Sequence, residues 1–89
     1  EVSLTEFAIE MPTAVAAGPV RFDVRNDGTA PHNLVIEGNG IEGRLPARLA
    51  PGASATLDLD LPAGTYTVFC PVGEGAHRAN GMEVTLTVG

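Results

Sequence analysis

Few side chains in this sequence could bind a metal, and most of them lie close together. Cys70 is the only cysteine, and His77 and Met82 follow it on one glycine-containing connection, whereas the second histidine, His32, lies far upstream. Two imidazoles, one thiolate and one weak thioether form the ligand set of a trigonal copper site with a long axial bond. We therefore take these four residues as candidate metal ligands.

Each of these residues, taken singly, also has an ordinary explanation. A free cysteine often packs in a core, a methionine fills gaps there, and a histidine where a loop becomes a strand is commonly exposed or hydrogen-bonded. Their joint placement favours a metal, because we expect one end of a β-sandwich to bring all four together, and two imidazoles and a thiol pack poorly without one.

The donor types also bear on which metal would bind. Zinc accepts thiolate and imidazole, but structural zinc sites use four nitrogen, sulfur or oxygen donors and do not favour a thioether. Three strong donors and a weak thioether suit one copper ion that must be tolerated as both Cu(I) and Cu(II). No open coordination position is evident, which argues against substrate turnover at the metal.

Alternating apolar residues predict the strands that must position these ligands. In the first strand the alternation changes phase at Thr5-Glu6, where we expect a bulge. Residues 37–52 lack a clear period, and we expect a long connection there with one short helical turn over Leu45 to Leu49. A short edge strand is predicted over 13–16. The remaining predicted strands cover 20–24, 34–36, 57–61, 64–69 and 83–88.

These elements predict an all-β fold without convincing helices. About seven to eight short strands separated by turn signals indicate an antiparallel sandwich or barrel. A chain of 89 residues is large enough for one core and too small for two, so we expect residues 1–89 to form a single domain.

The charge balance excludes some partner classes. The net charge is −6, from eleven carboxylates against five arginines, and the chain contains no lysine. Nucleic acids and anionic membranes are poor partners for such a surface, because both require clustered cations. No apolar run is long enough to cross a membrane, so we expect no direct membrane insertion.

Three motifs are more specific than the alternating apolar residues. They are Pro31-His32-Asn33, Ala63-Gly64-x-Tyr66-x-x-x-Cys70 and Gly81-Met82. With these motifs, the chain resembles the small cupredoxins, the plastocyanin-like and azurin-like blue copper proteins, over almost its whole length. The resemblance implies a Greek-key cupredoxin fold and a type 1 copper site, with His32, Cys70 and His77 as equatorial ligands and Met82 as the axial ligand.

The same resemblance implies a supporting role for Asn33, which would link the two ligand loops and support the cysteine sulfur. A second hypothesis is that the Val72 N–H donates to that sulfur. Six residues separate Cys70 from His77, more than in the relatives, and glycines could let the extra length bulge outward. Glu74 in this bulge is an alternative donor, although a hard carboxylate suits the site poorly.

The function that the resemblance implies is one-electron transfer by a protein that is not an enzyme. Redox partner proteins would dock near His77, on an apolar patch formed by Pro31, Pro71, Val72 and Ala76. The protein would be a monomer in an extracytoplasmic setting, either the periplasm or the outer face of a membrane.

Three other functions remain open from the sequence. The first is a copper carrier or storage module, and the second is an accessory domain of a larger oxidase or reductase. The third is a cysteine-nucleophile enzyme, which has little support because Pro71 follows Cys70 and no oxyanion loop is evident.

Overall fold

Two packed β-sheets carry almost all of the regular structure. The structure is a computed structural model, and it describes residues 2–73 and 76–89. The described residues form nine strands and one short helix: β1 Val2–Thr5, β2 Ala8–Glu10, β3 Ala14–Val15, β4 Gly18–Asn26, β5 Val35–Gly38, β6 Ile41–Arg44, β7 Ser54–Leu61, β8 Gly64–Phe69, α1 Ala76–Ala79 and β9 Glu83–Val88.

The first sheet has the strand order β2-β1-β4-β7, and the second has the order β3-β9-β8-β5-β6. Most neighbouring strands are antiparallel, but β1 pairs with β4 and β3 pairs with β9 in parallel. A parallel pair cannot be joined by a tight hairpin. Between β1 and β4 the chain therefore leaves the first sheet, forms β3 in the second sheet, and returns. The predicted β-sandwich is confirmed, and its two sheets are mixed.

Strand β4 illustrates how sequence alternation builds the core. Phe22, Val24 and Asn26 are buried, whereas Arg21 and the other intervening residues face solvent. Eight consecutive residue pairs join β4 to β7, which places the apolar sides of both strands on one face. Leucine, valine, isoleucine and aromatic side chains from the two sheets meet between them in one cluster.

The predicted bulge at Thr5-Glu6 is wrong. The chain reverses there, and β1 pairs with β2 as an antiparallel hairpin in which Thr5 faces Ala8. The tight turn at Glu6 and Phe7 explains the change of phase, because the second strand runs back beside the first. This β1–β2 turn reaches the end of the sandwich that carries the candidate ligands.

The expected long connection over 37–52 is also wrong in its first half. Strands β5 and β6 form a hairpin whose turn contains Asn39, with φ 53°, and Gly40, with φ 74°. Asn-Gly is a strong signal for such a turn because both residues tolerate positive φ. The expected helical turn is absent, since Leu45 and Leu49 are buried in extended or bent segments of the described chain.

Candidate metal centre

His32 is fixed in place by its backbone before its side chain contributes any chemistry. Its N–H donates to the Leu49 carbonyl at 3.1 Å, and its own carbonyl accepts from the Leu49 N–H at 2.7 Å. This isolated bridge ties the start of the segment leading to β5 to a distant part of the chain. The His32 side chain is completely buried as a result.

The loop that precedes His32 is organised by the buried side chain of Asn26. Its amide nitrogen donates to the carbonyls of Ala30 at 2.8 Å and Leu49 at 2.9 Å, and its oxygen accepts from the Gly28 N–H at 2.9 Å. These bonds connect the end of β4 to both segments that hold His32. A fully paired buried amide of this kind gives the loop one conformation.

Cys70 comes directly after Phe69, the last residue of β8. Its side chain is fully buried, and its N–H donates to the carbonyl of Met82 at 3.1 Å. A backbone hydrogen bond therefore joins the two ends of the segment from Cys70 to Met82. Met82 is itself completely buried.

His77 lies on the four-residue helix α1 within this segment. Its N–H donates to the Val72 carbonyl at 3.3 Å, and its carbonyl accepts from the Met82 N–H at 3.1 Å. Unlike His32, its side chain is only half-buried. The helix begins one residue before His77, and it was not predicted because one helical turn is too short to show a period.

The donor atoms of the two histidines and the cysteine converge. His32 Nδ1 lies 3.1 Å from His77 Nδ1, and the Cys70 sulfur lies 3.9 Å and 3.7 Å from these two nitrogens. The ligand atoms of the three residues lie within 4.8 Å of one another. The structure thus brings together residues from two distant parts of the sequence, and Met82 joins them through its backbone bonds.

These separations fit the bonds of a shared metal ion. Nitrogen and sulfur donors bind first-row metals at about 2.0–2.3 Å, so two donors of one ion lie at most about 4.5 Å apart. The donor set is soft and mixed, with thiolate and imidazole as its strong members, which matches copper better than magnesium or calcium.

The protonation state of His32 also fits a ligand role. Burial lowers the pKa of His32, and this effect prevails over the opposing influence of the Glu6 carboxylate. Lowering the pKa of an imidazole favours the neutral form, which is the form that binds metals. His32 is therefore available as a neutral ligand over a wider pH range than an exposed histidine.

The Cys70 sulfur receives its hydrogen bond from Asn33. The Asn33 N–H donates to this sulfur at 3.5 Å, while the Asn33 side-chain oxygen accepts from the neighbouring Leu34 N–H at 2.7 Å. In the described part of the chain, no such bond comes from Val72. Glu74, the alternative donor considered above, lies outside the described residues.

Two residues at this site were missed by sequence reasoning, Glu6 and Phe7 of the β1–β2 turn. Oε1 of Glu6 lies 3.5 Å from His32 Nε2, and the Phe7 ring meets the His77 ring edge-on with centroids 5.1 Å apart. The change of phase at Thr5-Glu6 was the available signal. Because it was interpreted as a bulge within one strand, neither side chain was expected at the site.

The whole chain was compared with known proteins, and solved structures with a similar fold were found. No family model and no curated protein matches the sequence. Among solved structures, a dithionite-reduced auracyanin from the photosynthetic bacterium Roseiflexus castenholzii is 27% identical, with a TM-score of 0.75 over 99% of this chain and 94% of that one.

Two further structures show how widely this fold is shared. Auracyanin A from Chloroflexus aurantiacus, described as a blue copper protein, is 16% identical with a TM-score of 0.77 over 99% of this chain and 95% of that one. A multicopper oxidase is 27% identical with a TM-score of 0.69, where 84% of this chain covers 30% of the oxidase. The two-sheet architecture and this likeness show that the chain has the cupredoxin fold.

Proposed function

We propose that this chain is a blue copper protein that carries one electron at a time. His32, Cys70 and His77 would hold the copper ion as equatorial ligands, and Met82 would be the weak axial ligand. The observation that carries the proposal is the convergence of two imidazole Nδ1 atoms and one thiol sulfur, 3.1–3.9 Å apart.

When bound, copper would supply a single-electron couple between Cu(I) and Cu(II). The residues of the chain would supply a donor set that both oxidation states tolerate, since thiolate and thioether suit Cu(I) and imidazole suits both. The Asn33 N–H would stabilise negative charge on the Cys70 sulfur through its 3.5 Å contact, which weakens sulfur donation to the metal.

A carrier of this kind needs ligands that stay in place when the electron moves. The backbone meets this need, because His32 is bridged to Leu49, and Cys70, His77 and Met82 are joined by hydrogen bonds between their main chains. Three of the four proposed ligands are also completely buried. Packed, hydrogen-bonded ligands hold one geometry and so limit reorganisation.

Burial also argues for a carrier over an enzyme. A catalytic metal keeps a coordination position open to substrate, whereas His32, Cys70 and Met82 are each fully enclosed. His77 is the one proposed ligand that approaches the surface. We therefore propose that redox partner proteins dock near His77, over a surface that includes Phe7, which is 41% exposed, and the exposed Pro31 and Ala76. Val72, which was expected in this apolar patch, is buried in the core instead.

We also propose that the protein acts as a monomer in an extracytoplasmic setting, as the resemblance to small cupredoxins implies. No helix within residues 2–73 and 76–89 has the length and apolar character needed to cross a bilayer.

A second candidate is an accessory domain of a larger redox enzyme. It is favoured by the likeness to part of a multicopper oxidase, of which this chain covers 30%. A copper carrier or storage module is a third candidate, but the closed, mixed donor set supports it less, because metal delivery benefits from donors that solvent or a partner can reach.

The decisive experiment is a visible absorption titration of the metal-free protein with Cu(II). We expect a strong blue band from a thiolate–copper bond, which a reductant bleaches and an oxidant restores over repeated cycles. Cys70→Ser should bind without this band, because the hydroxyl cannot replace the thiolate. The matched control is Ser54→Ala, an exposed substitution at the start of β7, which should leave the band unchanged.

Other results would redirect the assignment. A pale or colourless product with tight binding would contradict the blue copper proposal and point to storage or to another metal. A blue band that cannot be cycled, or copper that passes readily to a competing chelator while the band is lost, would contradict the electron-carrier proposal and favour metal delivery.

A further inference from the structure

The outer nitrogen of His32 is a buried polar atom without a hydrogen-bond partner among the described residues. Its ring is completely buried, and its Nδ1 faces the other candidate ligands. The charged group that faces Nε2 is the Glu6 carboxylate, whose Oε1 lies 3.5 Å away. An unpaired buried polar atom in a folded protein calls for an explanation.

The Glu6 carboxylate is itself held firmly in this position. Oε1 accepts hydrogen bonds from the Thr29 N–H at 2.7 Å, from the Thr29 hydroxyl at 3.3 Å and from the Ala30 N–H. Thr29 and Ala30 belong to the loop that leads directly into His32. The carboxylate is thus fixed by the same loop that delivers the histidine.

Gly28 lies against the Glu6 carboxylate and leaves the space that the carboxylate occupies. A Cβ placed on Gly28 would lie 2.5–2.9 Å from the carboxylate carbon and both oxygens of Glu6. Any larger residue would therefore push the carboxylate away. Gly28 has no positive φ, so the need for glycine at this position comes from the space that Glu6 occupies.

We propose that Glu6 is the positioning residue of His32: it accepts the Nε2–H of the imidazole and so presents the Nδ1 lone pair to the metal. This inference rests on the copper site proposed above. It assigns the β1–β2 turn to the metal centre as a third element, beside the loop before β5 and the segment from Cys70 to Met82.

The chemistry follows from the single proton of a neutral imidazole. If that proton lies on Nε2, Nδ1 must have a free lone pair, and a carboxylate that accepts from Nε2 fixes this tautomer and the ring orientation. The carboxylate charge also makes the imidazole a stronger donor. Because this favours Cu(II) over Cu(I), Glu6 should lower the reduction potential of the site.

The first test needs no metal and no variant. Nitrogen-15 NMR of the metal-free protein distinguishes the two imidazole tautomers, and we expect the proton of His32 on Nε2. A proton on Nδ1 of His32 would overturn the inference whatever the protein does with copper.

The second test measures Cu(II) affinity by competition with a chelator in a set of variants. Glu6→Ala should bind copper about 10–100-fold more weakly, as expected when the hydrogen-bond partner of a ligand is removed. Glu6→Gln keeps an acceptor oxygen without the charge, so it should recover most of the affinity while raising the reduction potential above that of the wild type.

Gly28→Ala offers an independent perturbation, because it displaces the carboxylate without removing it, and it should weaken copper binding in the same direction as Glu6→Ala. The matched control is Glu10→Ala, which removes the same charge from an exposed position of β2 and should leave affinity and potential unchanged. Gly28→Ala also serves if Glu6→Ala fails to fold.

The results separate the two proposals. Wild-type affinity and potential in both Glu6→Ala and Gly28→Ala would overturn the role of Glu6 and leave the copper carrier intact. If the wild type binds no copper, the proposed function fails, and the tautomer of His32 in the metal-free protein still decides whether Glu6 orients it.

Discussion

Two buried polar residues, Asn26 and His32, carry contrasting information about the molecule. Asn26 uses its side-chain amide in three hydrogen bonds within its surroundings. His32 Nε2 has no hydrogen-bond partner within residues 2–73 and 76–89, and its Nδ1 lies 3.1 Å from His77 Nδ1 and 3.9 Å from the Cys70 sulfur. A fully paired buried group serves the fold, whereas an unpaired one beside other donors indicates a functional site.

Asn26→Ala should lower the free energy of unfolding by about 2–4 kcal/mol, because the carbonyls of Ala30 and Leu49 would lose their shared donor. Urea unfolding of the metal-free protein measures this. The control is Asn80→Ala, which removes one exposed hydrogen bond to Ala76 and should cost less than about 1 kcal/mol. Equal losses in the two variants would contradict a structural role for the buried amide.

At the scale of elements, the β1–β2 turn and the segment from Cys70 to Met82 pack closely. A Cβ on Gly81 would lie 2.7 Å from the carbonyl oxygen of Phe7, and Gly81 has φ 126°. The turn therefore approaches the segment more closely than any residue with a side chain would allow. The pair forms one wall of the metal centre, with the Phe7 ring against His77.

Gly81→Ala should destabilise the metal-free protein by about 2–3 kcal/mol and reduce copper affinity, because the turn must move away from the site. Gly52→Ala is the matched control, since Gly52 also has a positive φ, 82°, but a Cβ there would meet no neighbour. That variant should lose only about 1–2 kcal/mol and keep its copper affinity. Urea unfolding and chelator competition give both numbers, and a similar loss of affinity in both variants would contradict the close approach.

A second contact between elements braces helix α1. The Arg78 guanidinium lies 4.0 Å from the centroid of the Phe69 ring. Its Nε donates to Glu83 Oε2 at 2.6 Å, and its Nη2 forms an ion pair with the same oxygen at 2.5 Å. This residue joins the helix to the end of β8 and the start of β9, the two strands that border the ligand segment.

Arg78→Ala should lower the free energy of unfolding by about 1 kcal/mol, since the cation–π contact and the exposed ion pair are each worth about 0.5–1 kcal/mol. It should also speed hydrogen exchange at the amides of His77 and Met82. Arg44→Ala removes an exposed pair with Glu42, 3.3 Å apart, and should change neither quantity measurably. If exchange at His77 and Met82 is unchanged in Arg78→Ala, the bracing role is wrong.

At the scale of the whole molecule, the chain is compact but its core is modest. The Cα radius of gyration is 12.0 Å, close to the roughly 12 Å expected for a compact domain of this length. The ion pairs on the first sheet are exposed, as in Arg21–Asp58, where both side chains are more than 60% accessible. Such pairs add little to the free energy of unfolding. A bound metal would therefore account for a large share of that free energy.

Copper loading should therefore raise the unfolding temperature substantially. At a free copper concentration of about 1,000 times the dissociation constant, the native state gains about 4 kcal/mol, which corresponds to roughly 15–30 °C for a domain of this size. Thermal unfolding of the loaded and metal-free forms measures the shift, and a chelator should reverse it. Cys70→Ser should show a smaller shift, and an equal one would contradict thiolate ligation.

Much of the fold could be predicted because its signals are local. Alternation in β4, β7, β8 and β9 places side chains on two faces whatever the partner strand, and these four strands were recovered from it. The β1–β2 hairpin and the β5–β6 hairpin were missed, since a change of phase fits a bulge as well as a turn, and Gly38-Asn39-Gly40 lies in a segment without a clear period.

The sequence alone determined which donors are available, His32, Cys70, His77 and Met82, and that strands would bring them to one end of a sandwich. Donor chemistry belongs to residue type, and strand patterns depend on neighbours along the chain, so both can be read without coordinates. Only the tertiary structure decided that both histidines offer Nδ1, that the Asn33 N–H reaches the sulfur, and that Glu6 faces His32. Those facts depend on contacts between residues 23 to 45 positions apart, and such contacts are set by the packing of the whole chain.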